Sequence, residues 1–175
     1  MKCEVGLIEA VKRNLAWFQH SGVMVPASGI WGVAERLSAA QGPALERMLH
    51  EFPAWTQKAG CHVLEQRRAD CNFETALFFL YAAECDVMPE AAAIGENLLD
   101  FLYFRSGLLN RYDEAFPAGS WNWSHIKWRD VVYFDDNAWC VFIPLGSIPR
   151  PSGSALKGAL DMLHYLHERA YLQTS

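Results

Sequence analysis

The chain has 175 residues, 51% hydrophobic and 20% charged, with 15 Lys and Arg against 20 Asp and Glu for a formal charge of −5. So apolar a chain offsets its ordering entropy by burial, which excludes disorder, and its acidic balance excludes a basic nucleic-acid binder, which needs cations to neutralise phosphates. Its longest nearly uncharged apolar stretch, Ala76–Ala83, falls far short of the roughly 20 residues of a membrane span.

Apolar positions Leu7, Ile8, Val11, Leu15 and Phe18 recur at helical spacing and predict a helix over Leu7–Gln19, stopped by Ser21-Gly22. Val23 to Gly29, with Pro26, reads as a loop. Trp31–Ala40 reads as a short helix, and Ala44–Gly60 as another that Pro53 breaks or restarts. Asn72 is the expected N-cap of a strongly apolar helix from Phe73 to about Cys85, and Pro89 opens the next, which runs to about Arg105. Ser106–Trp128 shows no sustained period and is rich in Gly, Pro, Asn and Trp. A loop that long inside a domain is usually functional when its aromatics argue against disorder. Val131–Phe134 reads as an extended stretch feeding a helix that begins at Asp135 or Asp136, and a last helix covers Ala155 to about Leu172.

Six or seven helices in pairs, with almost no strand signal, predict an all-α domain over 1–175. Phe73–Tyr81 and Ala138–Leu145 are apolar nearly all round, as helices enclosed by others are. Inner helices wrapped by amphipathic ones suggest a toroid of helical hairpins.

Five cysteines without a CxxC imply reduced thiols, and Met1–Gly6 lacks the apolar core of a signal peptide, so the expected compartment is the cytoplasm. Neither a structural metal nor a cofactor fingerprint is read from the sequence. Cys71 and Cys140 sit among apolar residues, where thiols pack and do not react. His164 and His167 share a solvated helix face, Glu35-Arg36 reads as an exposed pair, and the isolated Trp17 and Trp55 are assigned to the core.

Chemistry concentrates in Val131-Val132-Tyr133-Phe134-Asp135-Asp136-Asn137-Ala138-Trp139. Adjacent carboxylates at a helix start resist joint ionisation, which separates an acid from a base as glycosidases require. Simple capping, with Asp135 at the cap and Asp136 in the first turn, competes with that reading. Trp121-Asn122-Trp123-Ser124-His125 just upstream alternates aromatic plates with hydrogen-bonding groups, a surface suited to sugars or, alternatively, a buried plug. A second acidic group, Asp70 and Glu74 after Arg67-Arg68, heads another apolar helix; Glu74 reads as an ion-pair partner of the arginines or a substrate contact, and Asp70 as a cap or a substrate contact.

The string Tyr133-Phe134-Asp135-Asp136-Asn137-Ala138-Trp139 resembles the Asp-Asp motif of the bacterial α-1,6-mannanases of glycoside hydrolase family 76, within the six-hairpin (α/α)6-barrel glycosidases. The resemblance implies retaining hydrolysis, with Asp135 as nucleophile and Asp136 as acid/base. Cys140 departs from the second aromatic that often follows in that family. An (α/α)6 barrel takes twelve helices, so the chain would supply about half, completed by the rest of a longer protein or by a second subunit, unless the fold is a smaller helical array. The expected function is hydrolysis of an oligosaccharide or polysaccharide through Asp135 and Asp136, without metal or cofactor. Trp121, Trp123, His125, Tyr133, Asn137, Trp139, Asp70, Glu74 and Arg68 would form the substrate site. The alternatives are a non-catalytic carbohydrate-binding or helical interaction protein, and a sugar epimerase on the same frame with His125 and Tyr133 as proton shuttles.

Overall fold

The computed structural model describes residues 2–52, 55–58, 60–112, 118–125, 131–142, 160 and 164. Helix α1 spans Lys2–His20, strand β1 Arg36–Ser38, helix α2 Gly42–Glu51, strands β2 Trp55–Lys58 and β3 Cys61–Leu64, helix α3 Ala69–Glu84, helix α4 Ala91–Asp100 and helix α5 Phe134–Phe142. One π-helical turn, Phe101–Arg105, prolongs α4, and the Ser106 N–H closes it on the Phe101 carbonyl at 2.8 Å.

Helices α3 and α4 form a hairpin whose facing residues build the core: Phe73, Ala76 and Phe79 from one, Ile94, Leu98 and Leu99 from the other, joined by Leu15 of α1. Gly95 permits the close approach. A Cβ there would lie 2.6 Å from Leu80 Cγ and 3.0 Å from the Ala76 carbonyl oxygen. A mid-helix glycine costs roughly 1 kcal/mol relative to alanine, and closer packing of the hairpin offsets it.

The all-α expectation is corrected by a three-stranded antiparallel sheet in the order β1-β3-β2, with Arg36 and Trp55 on either side of Leu64. The expected helix Trp31–Ala40 is a loop followed by β1, because Gly29 and Gly32 hold φ of 78° and 74°, outside the helical region. The expected helix Ala44–Gly60 ends at Glu51, and Trp55 onward pairs with β3 through a turn at Gly60, φ 77°. Trp17 also departs from expectation, being 47% exposed on α1. The last expected helix, Leu160 and His164 apart, lies outside the described residues; those two are helical and exposed.

The chain makes one helix-to-helix connection twice. After α1, the Ser21 hydroxyl accepts the Val23 N–H and Gly22 takes φ 87°; after the π turn, the Ser106 hydroxyl accepts the Leu108 N–H and Gly107 takes φ 69°. The Val23 carbonyl then accepts the Ala34 N–H at 2.7 Å, as the Leu108 carbonyl accepts that of Asn122 at 2.9 Å. Next, the Glu35 N–H reaches the Gln66 carbonyl and the Trp123 N–H the Val131 carbonyl, both at 2.8 Å. Each connection ends in a helix, α3 or α5, whose first turns carry an acidic residue and an asparagine, Asp70 with Asn72 and Asp135 with Asn137. The first connection holds the sheet and α2, between Glu35 and Gln66.

Candidate active site

Asn72 does not cap α3, which begins one turn earlier at Ala69. Its amide nitrogen donates to the Arg68 carbonyl at 2.8 Å and the Val33 carbonyl at 3.1 Å, while its oxygen accepts the Val33 N–H at 2.7 Å. Asn137 repeats the arrangement. It donates to Tyr133 O at 2.7 Å and Trp121 O at 3.0 Å, and accepts the Trp121 N–H at 2.7 Å. Both asparagines are buried, so these bonds satisfy backbone groups that water cannot reach. Asn137, expected at the substrate, is a clamp within the protein.

Helix α3 packs against α5, and an ion pair between Arg68 and Asp136 joins their N-terminal ends. Backbone N–H groups at such ends favour anionic side chains, and Asp70, Asp135 and Asp136 occupy the first turns. Arg68 precedes α3 in extended conformation, bridged antiparallel to Ser124. Its Nη2 donates to Asp70 Oδ2 at 2.5 Å and to Asp136 Oδ1 at 3.2 Å. The guanidinium lies 4.7 Å from the centroid of the Trp123 ring, and the Tyr133 ring meets Trp123 edge-on at 6.1 Å. Thus Arg68, Asp70 and Asp136 form one ion cluster backed by two aromatic side chains. Their side chains are 21%, 12% and 17% exposed, respectively.

The cluster is electrostatically strained. The Asp136 carboxyl is pushed from 3.8 up to about 6, first by burial and then by the like charge of Asp70, against the opposing pull of Arg68. Asp135 contributes least. Burial and Asp70 also raise Glu74, and they push the Cys71 thiol up to about 12. Cys140 is likewise driven up by burial, so both thiols remain protonated. Arg68 is pulled down by burial, but Asp70, Cys71, Asp136 and Glu35 together raise it, keeping it cationic. Two buried atoms, Arg68 Nε and Asp70 Oδ1, have no hydrogen-bond partner among the described residues.

The remaining expected residues divide. Trp121 is buried, packed edge-on against Phe73 and Tyr103 at 5.2 and 5.3 Å, so it belongs to the core and not to a sugar platform. Trp139 and Tyr133 are exposed, as is Asp135. Glu74 is exposed one turn beyond Asp70; the Arg68 ion pairs go to Asp70 and Asp136. The His125 ring is accessible while its Nδ1 accepts the Arg67 N–H at 3.0 Å, and partial burial lowers its pKa, so it stays neutral.

Glu35 was read as an exposed pair, yet its side chain is only 6% exposed. One of its oxygens accepts from Arg36 Nε at 2.8 Å and the other from Gln66 Nε2 at 2.6 Å. Its setting among Gly32, Val33 and Ala34, small residues that let neighbours close in, was the available signal. Among the described residues no three His, Cys, Asp or Glu side chains gather as a metal site, and no helix is long and apolar enough to cross a membrane. Compared with known proteins, the chain matches no family model, no curated protein and no solved structure.

Proposed function

We propose that the protein is a carbohydrate-active enzyme, a glycoside hydrolase acting on an oligosaccharide or polysaccharide through a pair of aspartates. The observation that carries this reading is Asp136, with its carboxyl near 6, set across Arg68 from Asp70. Glycosidic cleavage uses one protonated and one ionised carboxyl flanking the bond. Asp136 protonates the leaving oxygen as the anomeric C–O bond breaks. Asp70 is the second carboxylate, which attacks the anomeric carbon or directs water to it. Asp135 stands outside the cluster, which argues for Asp70 over the position the family resemblance implies. Trp123 and Tyr133 back the cluster, and exposed Trp139 on α5 adds aromatic surface for sugar C–H faces.

The repeated hairpin connection supports a toroid of helical hairpins, of which these residues would form about half, completed by further chain or a second subunit. The likeness of Tyr133–Trp139 to the family 76 motif makes α-1,6-linked mannose the first substrate to try. The test is a screen of labelled oligosaccharides with the unaltered chain and with Asp136→Asn, Asp70→Asn and Asp135→Asn. Asp136→Asn and Asp70→Asn should each lower release of product by at least about 10²-fold, and Asp135→Asn should change it by less than about tenfold. Glycan binding without hydrolysis would overturn the enzyme in favour of a binding protein, and a product epimerised but uncleaved would overturn it in favour of an epimerase.

A further inference from the structure

A groove of about 440 Å³ opens between β1, α2 and the start of β2, lined by Glu35, Arg36, Ser38, Glu51, Phe52 and Trp55 among others. Its volume lies in the range of small-molecule sites. It belongs to the segment, with its sheet and helix, that the first hairpin connection carries.

We propose that this groove is a second sugar subsite, taking a neutral hexose unit of the same glycan chain that the acidic cluster cleaves. The proposal rests on the glycosidase reading and extends it to a substrate several sugars long. Trp55 supplies a fixed plate: its indole N–H donates to the Met48 carbonyl at 3.2 Å, and its ring meets Phe52 edge-on at 6.4 Å. Arg36 supplies aimed donors. Its Nε is held by Glu35 and its guanidinium lies 4.8 Å from the Phe52 ring centroid, while its terminal amino groups have no protein acceptor among the described residues. The Ser38 hydroxyl accepts the Ala40 N–H at 3.1 Å, which leaves its proton free to donate. A pyranose ring presents an apolar face and a hydroxyl rim, the counterpart of this plate and these donors. Two carboxylates against one guanidinium in the lining disfavour a uronate or a phosphosugar.

Continuity with the cleavage site comes from Glu35. It lines the groove and binds Gln66, which stands two residues before Arg68 on the extended run into α3, and its charge acts on Arg68 itself.

The experiment compares α-1,6-linked mannohexaose with an aryl mannoside too short to reach the groove. Trp55→Ala should raise KM for the hexaose about tenfold, with kcat and the aryl-mannoside kcat/KM unchanged, and Trp55→Phe should recover most of the loss. Equal effects on both substrates, or none on either, would overturn the subsite. Independently of whether Trp55→Ala folds, the Trp55 indole N–H resonance in the Asp136→Asn chain should shift on adding the hexaose; an unmoved resonance at saturating hexaose also overturns it. Hydrolysis of both substrates with the hexaose KM unmoved by Trp55→Ala would sink the groove and spare the enzyme. A shifted Trp55 resonance in a chain that hydrolyses nothing would do the reverse.

Discussion

At the start of α3, Asn72 grips both backbone groups of Val33, and at the start of α5, Asn137 grips both of Trp121. The clamps are alike to the atom, but what they hold in place differs. By position relative to the asparagine, Asp70 corresponds to Asp135, Cys71 to Asp136 and Arg68 to Tyr133. The ion cluster nevertheless joins Asp70 to Asp136, residues that are not equivalent. Consecutive residues diverge by about 100° around a helix axis, so each helix start turns a different one of its first-turn positions toward Arg68. The repeated scaffold fixes two helix ends with the same bonds and leaves the side chains between them free to specialise.

The largest effect should separate the two aspartates of α5. On a hydrolysed glycan, Asp136→Asn should lower kcat by about 10²–10⁴-fold, the usual worth of a positioned acid, while Asp135→Asn should change it by less than about tenfold. Equal losses would mean that the helix start, and not the carboxyl pairing with Asp70, is what matters. The pH profile has a defined sign: the acid form of Asp136 is lost as pH rises through about 6, so activity should fall above that value.

Next come the clamps. Asn72→Ala and Asn137→Ala each leave a buried N–H and C=O unpaired, at about 1–3 kcal/mol per group. Urea unfolding should therefore show each variant destabilised by about 3 kcal/mol. A loss at one site and not at the other would break the equivalence of the two connections.

The glycines sharpen the comparison further. Alanine at Gly32 would put its Cβ 2.4 Å from Phe101 Cε1 and 2.7 Å from Asn72 Oδ1, at φ 74°. A cost of about 3 kcal/mol is expected, as overpacking adds to backbone strain. Gly107, at φ 69° with nothing within 4 Å of a new Cβ, pays backbone strain alone, so Gly107→Ala should cost about 1–2 kcal/mol. Thermal melts of the two variants would reverse that order if Phe101 moves aside freely.

The smallest effect is the pH dependence of stability. The folded Asp136 carboxyl keeps its proton up to about 6, whereas an ordinary one releases it near 3.8, so the native state binds more protons in that window. This contribution to stability is present below about pH 4 and lost as pH rises through 6. Asp136→Asn, which never ionises, should thus gain roughly 1 kcal/mol on the unaltered chain between pH 4 and 7.5, a figure reduced for partial solvent access. Melts at the two pH values check it, and no change in the difference would mean that Asp136 titrates like an exposed carboxyl.

Much of the helical frame was legible because periodicity needs only local sequence. The expected Leu7–Gln19 lies within α1, and Phe73–Cys85 lies almost wholly within α3. The expected helix opened by Pro89 covers α4 and its π turn, and α5 begins beside the expected Asp135. The short strands were missed because three or four residues with charged and polar members, Arg36–Ser38 and Trp55–Lys58, carry too little alternation to reveal β pairing. Asn72 was misread because a cap and a clamp use the same side chain; the difference is Val33, 39 residues away in the chain. Trp121 was misread as a platform for a similar reason, since an indole looks the same in a list of residues whether it faces Phe73 or solvent.

The amino-acid order by itself determined where the long helices run and that acidic residues stand at two of their beginnings, because backbone preference and apolar spacing act over a few residues. Tertiary structure decided which acid meets which, that Arg68 sits between Asp70 and Asp136, and that Glu35 lines a groove while it binds Gln66. Those outcomes depend on the rotation of packed helices and on bonds between distant segments, and no local pattern encodes an angle between two helices.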